Sequence, residues 1–197
     1  MTTIAYILGI LLTVTLGLTL TPAKASAHCN TMDGPTAKDG VTTLETGNIN
    51  YAAKWIMEEY EDELSEIFNL SQKVRALSPD AKELADRFFL ESLVRIHRAG
   101  EGAPYEGLKP KGTPIDEKVA AADKSIEIGN LSPLKNMVTH EELHALEEKF
   151  QKAMALKNYD MNDLDAARAY VQAYVSFFKL AEGEEHDHGE HGHGHAH

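Results

Sequence analysis

The chain has 197 residues, 43% of them hydrophobic, and its 31 acidic and 19 basic residues give a formal net charge of -12. This length and composition allow one domain or one duplicated unit with a buried core, and exclude a wholly disordered protein. An acidic surface repels nucleic acids and anionic membranes and attracts cations, so we expect no nucleic-acid partner.

Residues 1–27 are typical of a signal peptide. Residues 4–21 are uncharged and mostly apolar, and Ala25 and Ala27 have the small-x-small spacing of a cleavage site. Cleavage after Ala27 would place the mature protein in the periplasm or outside the cell. The apolar segment is also nearly long enough to span a bilayer, so an uncleaved membrane anchor is the alternative.

The rest of the chain contains an internal repeat. The stretch "LETGNINYAAKWI" from Leu44 corresponds to "IEIGNLSPLKNMV" from Ile126, an offset of 82 residues, and the correspondence continues without a gap to Ile96 and Phe178. A gapless match over about 60 residues indicates a duplicated unit.

Each repeat is expected to form a short helix that ends at Gly-Asn, followed by two long helices. The expected ranges are 36–46, 51–76 and 78–98 in the first repeat, and 116–128, 133–157 and about 160–181 in the second. No stretch alternates with period 2, so we predict an all-α fold. Four long and two short helices would form a bundle with pseudo-two-fold symmetry.

The repeats define the predicted organisation of the mature chain. The first repeat occupies 28–98, a Gly- and Pro-rich linker 99–115, the second repeat 116–181, and a tail 182–197. The tail has too few apolar residues to pack a core, so we expect it to be disordered.

This tail, which we call the His-rich tail, contains six of the ten histidines, and neutral imidazoles bind Ni²⁺, Cu²⁺ and Zn²⁺. Its irregular spacing and interleaved acidic residues argue against an engineered tag. Binding should weaken as the pH falls, because protonated imidazole cannot ligate a metal. The candidate ligands are His186, His188, His191, His193, His195 and His197.

The predicted cleavage gives the mature N-terminus a compact set of metal ligands. His28 becomes the first residue, and Cys29, the only cysteine, becomes the second. A free amine, an imidazole and a thiolate on consecutive residues can chelate a metal after releasing their protons. The alternative is an exposed chain end with no function.

The sequence from His28 to Gly34 resembles the N-terminus of the nickel superoxide dismutases. These helical bundles begin, after processing, with His-Cys-x-x-Pro-Cys-Gly. The resemblance implies a nickel ion held by the terminal amine, by the backbone nitrogen and thiolate of Cys29, and by the His28 imidazole. Asp33 stands where that family has its second thiolate, and Met32 stands where it has proline.

Most of residues 28–181 are also similar to a small family of secreted bacterial proteins of unknown function. The similarity rests on "HCNTMDGP", on "VRIHRAGEGAPYEGLKP" and on the two Gly-Asn repeats. The similarity implies where the folded domain begins and ends, and it implies no particular activity.

The segment "HEELH" matches the H-E-x-x-H pattern, in which two histidines one helical turn apart bind zinc. In that interpretation His140 and His144 are ligands and Glu141 is the general base. The repeat aligns the two histidines with Glu58 and Asp62, which would allow a carboxylate–histidine site inside the bundle. The remaining alternative is a solvated helix face with charges at i, i+4.

His97, in "RIHRAGEG", lies near the predicted end of a helix. As a cation it would complement the helix dipole. Alternatively it completes a site with His28 and Cys29, and one thiolate with two imidazoles suits copper or zinc.

Three functions remain open from these patterns. The first is an extracytoplasmic protein that binds or buffers nickel, copper or zinc. The second is a redox metalloenzyme that resembles the nickel superoxide dismutases. The third is a helical interaction module with accessory metal binding. Metal ions are the expected partners in each case, and the patterns leave both enzymatic activity and oligomeric state open.

Overall fold

The computed structural model describes residues 27–183, which contain seven α-helices and no strands, so the predicted all-α fold is confirmed. Two short 3-10 helices, at Ala27–Asn30 and Glu58–Tyr60, complete the secondary structure of this part of the chain. The α-helices are α1 Pro35–Thr46, α2 Asn50–Ala53, α3 Glu61–Arg75, α4 Pro79–Gly100, α5 Glu117–Ile128, α6 His140–Leu156 and α7 Leu164–Glu182.

The short helices end where the Gly-Asn pairs predict. Gly47 follows α1 with φ 77°, and Gly129 follows α5 with φ 75°. This left-handed conformation suits glycine and lets its N–H bond back to the last turn of the helix. At the N-terminal end of α4, the Ser78 side chain accepts a hydrogen bond from the N–H of Ala81 and caps the helix.

The prediction of one continuous helix over 51–76 was wrong. α2 ends at Ala53, a turn and a 3-10 helix follow, and α3 begins at Glu61. Trp55 and Ile56 continue the apolar pattern, but they are buried side chains of the turn, 6% and 5% exposed. A pattern of burial cannot by itself distinguish a helix from a turn packed against the core.

The corresponding helix of the second half, predicted over 133–157, also begins later than predicted, at His140. Thr139 accepts a hydrogen bond from the N–H of Glu142, and the Glu142 carboxylate accepts one from the N–H of Thr139. This capping box satisfies N–H groups of the first turn and fixes the start of α6. The helix α4 differs from the prediction at its C-terminal end, which lies at Gly100, two residues beyond the predicted end.

The two halves contain matching contacts. In the first half, α1 and α3 pack on α4, and in the second half α5 and α6 pack on α7. The Arg75 Nη1 donates to the Leu44 carbonyl, and at the same offset the Lys157 Nζ donates to the Ile126 carbonyl at 2.6 Å. A basic side chain thus closes the short helix against the long one in each half.

The halves are not equivalent at their cores. One hydrophobic cluster is built from the first half, around Leu64, Phe89 and Leu93. The other, around the second half, also takes in Cys29 and Trp55 from the first. Cys29, near the start of the first half, therefore lies inside the core of the second half.

The N-terminal segment is held in this position by backbone pairing with the linker. The Lys109 N–H donates to the Asn30 carbonyl at 2.7 Å, and the Met32 N–H donates to the Lys109 carbonyl at 3.0 Å. Among residues 27–183, no helix is both long enough and apolar enough to cross a membrane.

Candidate functional site

The His-Cys pair is buried, so the alternative of an exposed chain end was wrong. His28 is 4% exposed and Cys29 is 1% exposed. Gly34 makes this possible, because a Cβ added there would lie 2.0 Å from the carbonyl oxygen of His28. Only glycine allows such a close approach, and it lets the chain turn back and place both residues in the core.

The imidazole of His28 belongs to a chain of hydrogen bonds. Its Nε2–H donates to the Asp123 carboxylate, and the same carboxylate accepts a bond from the Tyr174 hydroxyl at 2.5 Å. Burial, followed by the charge of Asp123, raises the pKa of Tyr174 well above its usual value near 10. The Nδ1 of His28 is buried and has no hydrogen-bond partner among the described residues.

The thiol of Cys29 is held in its neutral form. Burial, followed by the charge of Glu101, raises its pKa from 9.0 to about 12. The nearby Thr36 hydroxyl, Arg98 and Lys179 act in the opposite direction. The sulfur is therefore influenced by the carboxylate of Glu101 and by the cations of Arg98 and Lys179, which form an ion-pair cluster at the C-terminal end of α4. It carries no charge at neutral pH.

His97 lies in the last turn of α4 and is 5% exposed. Its Nδ1–H donates to the carbonyl of Trp55 at 2.7 Å, and the Trp55 ring stands edge-on at 5.8 Å between ring centroids. Burial lowers the pKa of His97 below its usual 6.5, so the prediction of a cation that complements the helix dipole was wrong.

The other nitrogen of His97 faces a carboxylate. Its Nε2 is buried without a hydrogen-bond partner among the described residues and lies 3.7 Å from the Oε2 of Glu101. That carboxylate is shared by the Arg98 Nη1 at 2.5 Å and the Lys179 Nζ at 3.2 Å. Burial alone would raise the pKa of Glu101, but His97, Lys179 and Arg98 lower it below its usual value.

The two histidines thus share a feature of metal-binding histidines. In each imidazole one nitrogen donates to an oxygen, which fixes the tautomer and the ring orientation and leaves the second nitrogen with a lone pair. The ligands are nevertheless not gathered in advance. In the described part of the chain, no three His, Cys, Asp or Glu side chains already surround a position that could hold a metal ion.

Asp33, which stands where the nickel dismutases have their second thiolate, faces the linker. Its carboxylate accepts a hydrogen bond from the N–H of Gly112 at 2.9 Å. This bond is the main reason that the pKa of Asp33 is lowered from its usual value. The structure therefore gives the carboxylate a structural role in holding the N-terminal segment against the linker.

The "HEELH" histidines lie on a solvated helix face. His140, Glu141 and His144 are all exposed in the first turns of α6. Glu58 and Asp62, their partners in the proposed bundle site, are exposed as well. The sequence "THEE" has a local explanation in the capping box that begins α6.

Two predictions lie outside the described residues. The predicted signal peptide, residues 1–27, lies outside the described part except for Ala27. All six histidines of the His-rich tail lie in residues 184–197, which are also outside it.

Several residues of the site have no clear signal in the sequence. Glu101 caps the C-terminal end of α4 and follows His97 by four residues, which is a weak pattern. Asp123 and Tyr174 come from α5 and α7, and only the fold brings them to His28.

Comparison with known proteins gives a family and no activity. No curated protein and no solved structure matches the chain. Residues 33–180 match a family described as a family of unknown function, DUF6448. Since the match covers most of the 197 residues, the chain belongs to the DUF6448 family.

Proposed function

We propose that this protein binds a transition-metal ion outside the cytoplasm, with His28, Cys29, His97 and Glu101 as the ligands of a buried site. We call these four residues the N-terminal centre. The observation that carries the proposal is that both histidines are buried with one nitrogen fixed by an oxygen acceptor and the other without a partner among the described residues.

Such nitrogens are unfavourable unless something binds them. A buried polar atom without a partner costs about 1–3 kcal/mol, and here the cost arises twice. A metal ion would use both lone pairs, and the Asp123 and Trp55 oxygens already hold the rings as outer-shell partners commonly do.

The spacing of His97 and Glu101 suits a shared ion. Ligands about 2.0–2.2 Å from a tetrahedral metal are separated by roughly 3.3–3.5 Å. The His97 Nε2 and the Glu101 Oε2 are 3.7 Å apart, so a small side-chain movement would bring both into range. An ion between them would also remove the repulsion between a lone pair and a carboxylate.

Cys29 would bind as a thiolate. Because its pKa is raised to about 12, the metal must displace a proton that the free protein holds tightly. Binding should therefore release a proton and become stronger as the pH rises. The charges of Arg98 and Lys179 favour the thiolate and reduce the cost of that step.

Two imidazoles, a thiolate and a carboxylate are a ligand set that suits zinc or copper. Nickel, implied by the resemblance to the dismutases, would need further strong donors, and Asp33 is bonded to Gly112. The His-rich tail would act as a separate, weaker site that captures ions and exchanges them with the centre. The acidic character of the chain favours cation binding at both.

Calorimetric titration with Zn²⁺ and Cu²⁺ tests the proposal on two forms of the protein, residues 28–197 and residues 28–183. The longer form should bind several ions and the shorter form one. Cu²⁺ should quench the fluorescence of Trp55, the only tryptophan, because its ring lies beside His97.

Three variants of the shorter form locate the site. Cys29→Ser and His97→Gln should each weaken binding by at least about tenfold. The double variant His140→Gln/His144→Gln removes two imidazoles from an exposed face and should bind as the parent does. If residues 28–183 bind no ion, the N-terminal centre is not a metal site.

A further inference from the structure

We propose that Arg98 holds a small planar oxyanion, of the carboxylate or carbonate type, beside the N-terminal centre. The proposal requires no metal, and so it goes beyond the function argued above. It rests on the buried guanidinium of Arg98, which has one edge free. It also rests on a second cation, Lys179, which shares the single carboxylate of Glu101 with Arg98.

Arg98 is 2% exposed and is the largest of the fully buried side chains in residues 27–183. Its Nη1 donates to Glu101 at 2.5 Å. Its Nε and Nη2 are both buried and have no hydrogen-bond partner among the described residues. These two nitrogens form the side edge of the guanidinium, whose parallel N–H groups bind the two oxygens of a carboxylate.

The local charges also favour an anion. Arg98 and the Lys179 Nζ share the carboxylate of Glu101, and neither makes another ion pair in the described part of the chain. Buried charges are stable when they are paired, and here one carboxylate serves two cations.

The free edge selects the shape of the ligand. Two parallel donors in one plane fit two oxygens of a planar group, as in formate or bicarbonate. A single chloride ion can accept both bonds only with bent geometry, so it should bind more weakly and serves as the control anion.

The experiment uses metal-free protein, residues 28–197, titrated separately with formate, bicarbonate and chloride. Binding is followed by calorimetry and by the shift in thermal midpoint. We expect saturable binding of formate or bicarbonate, and binding of chloride that is at least tenfold weaker. If formate binds and bicarbonate does not, the site selects a carboxylate, and the reverse result identifies a carbonate site.

Two variants locate the anion. Arg98→Lys keeps the charge but loses the planar fork, and should weaken binding by at least tenfold. Arg95→Lys is the matched control, because Arg95 lies on the same helix, is 44% exposed and is paired with Glu63, and it should change nothing.

Glu101→Gln provides an independent readout if Arg98→Lys fails to fold. It replaces the carboxylate with an uncharged side chain of the same shape. The carboxylate no longer competes with the anion for Arg98 and Lys179. Anion affinity should then rise by severalfold. If no anion binds saturably to the parent, or if chloride binds as well as formate, the free edge holds only water and the proposal is overturned. An unchanged affinity in Glu101→Gln overturns it too.

Discussion

The Nε2 of His97 and the Oε2 of Glu101 lie 3.7 Å apart, and both are hydrogen-bond acceptors while His97 carries its proton on Nδ1. Two lone pairs in a buried place favour the arrival of a cation between them. That cation is a metal ion in the function that we propose, and a proton at low pH. The pair therefore links metal binding to pH.

His97 should make the protein less stable in mild acid. Its pKa is lowered in the folded state by burial, so between that value and about 6.5 the unfolded chain binds more protons. The stabilising effect is present above about pH 6.5 and is lost as the pH falls, by up to about 1.4 kcal/mol for each pH unit.

Urea unfolding of metal-free protein between pH 7.5 and pH 5 measures this effect. His97→Gln should reduce the dependence on pH, and His140→Gln, at an exposed position, should leave it unchanged. Equal slopes in the parent and in His97→Gln would contradict the assignment.

Cys29 should react very slowly in the native protein. With its pKa at about 12, against 9.0 for an ordinary thiol, the thiolate fraction at pH 8 falls by roughly a thousandfold. Alkylation by iodoacetamide, followed by mass spectrometry, should be at least about a hundredfold slower than in urea. Comparable rates in the native and the unfolded protein would mean that the thiol is accessible.

The same thiol makes a separate contribution in alkali. Since its folded pKa is raised, the stability that it provides is present below about pH 9 and is lost as the pH rises towards 12. Cys29→Ala should therefore weaken the decrease in stability above pH 9.

Gly34→Ala should displace the N-terminal segment. The backbone at Gly34, with φ -73° and ψ 163°, is ordinary for alanine, so the expected damage comes only from the 2.0 Å approach to the His28 carbonyl. We expect a loss of about 1–3 kcal/mol in stability, faster alkylation of Cys29 and weaker metal binding.

Gly100→Ala is the matched control for this substitution. A Cβ at Gly100 would meet only the flexible side chain of Met57, at 3.2 Å. It should leave the reactivity of Cys29 unchanged. The turn at Gly34 does not position the thiol if both variants behave alike.

Thr139→Ala should destabilise the start of α6 by about 0.5–2 kcal/mol, because the helix loses its cap and the reciprocal bond with Glu142. Metal binding to residues 28–183 should be unchanged, since "HEELH" lies on an exposed face. Thermal unfolding with parallel calorimetry measures both effects. A loss of metal binding in Thr139→Ala or in His144→Gln would restore "HEELH" as a metal site.

Much of the fold was predictable because its signals are local. The Gly-Asn pairs and the Ser78-Pro79 cap place helix ends within a few residues. The break after Ala53 was missed because Trp55 and Ile56 keep a helical spacing, and tertiary packing decides that they lie in a turn. Leu84 and Phe88 are apolar residues of α4 and yet are 69% and 48% exposed, so apolar spacing alone does not identify the buried face of this helix.

The candidate site was predictable only in its parts. The sequence marks His28, Cys29 and His97 as unusual, and it suggests that they meet. It cannot tell that the first two are buried, because that depends on the turn at Gly34 and on the core of the second half. The partners Asp123 and Tyr174 are ordinary residues until the fold places them beside His28.

The pairing of Asn30 and Met32 with Lys109 has a consequence for the order of events during folding. Asn30 and Met32 contact a backbone segment that follows them by nearly eighty positions, and Cys29 enters a core built mainly from the second half. The N-terminal segment can therefore reach its final position only after the second half has folded. In the function that we propose, a metal ion that arrives before this step would meet an open His-Cys pair, and closure of the fold would then trap the ion.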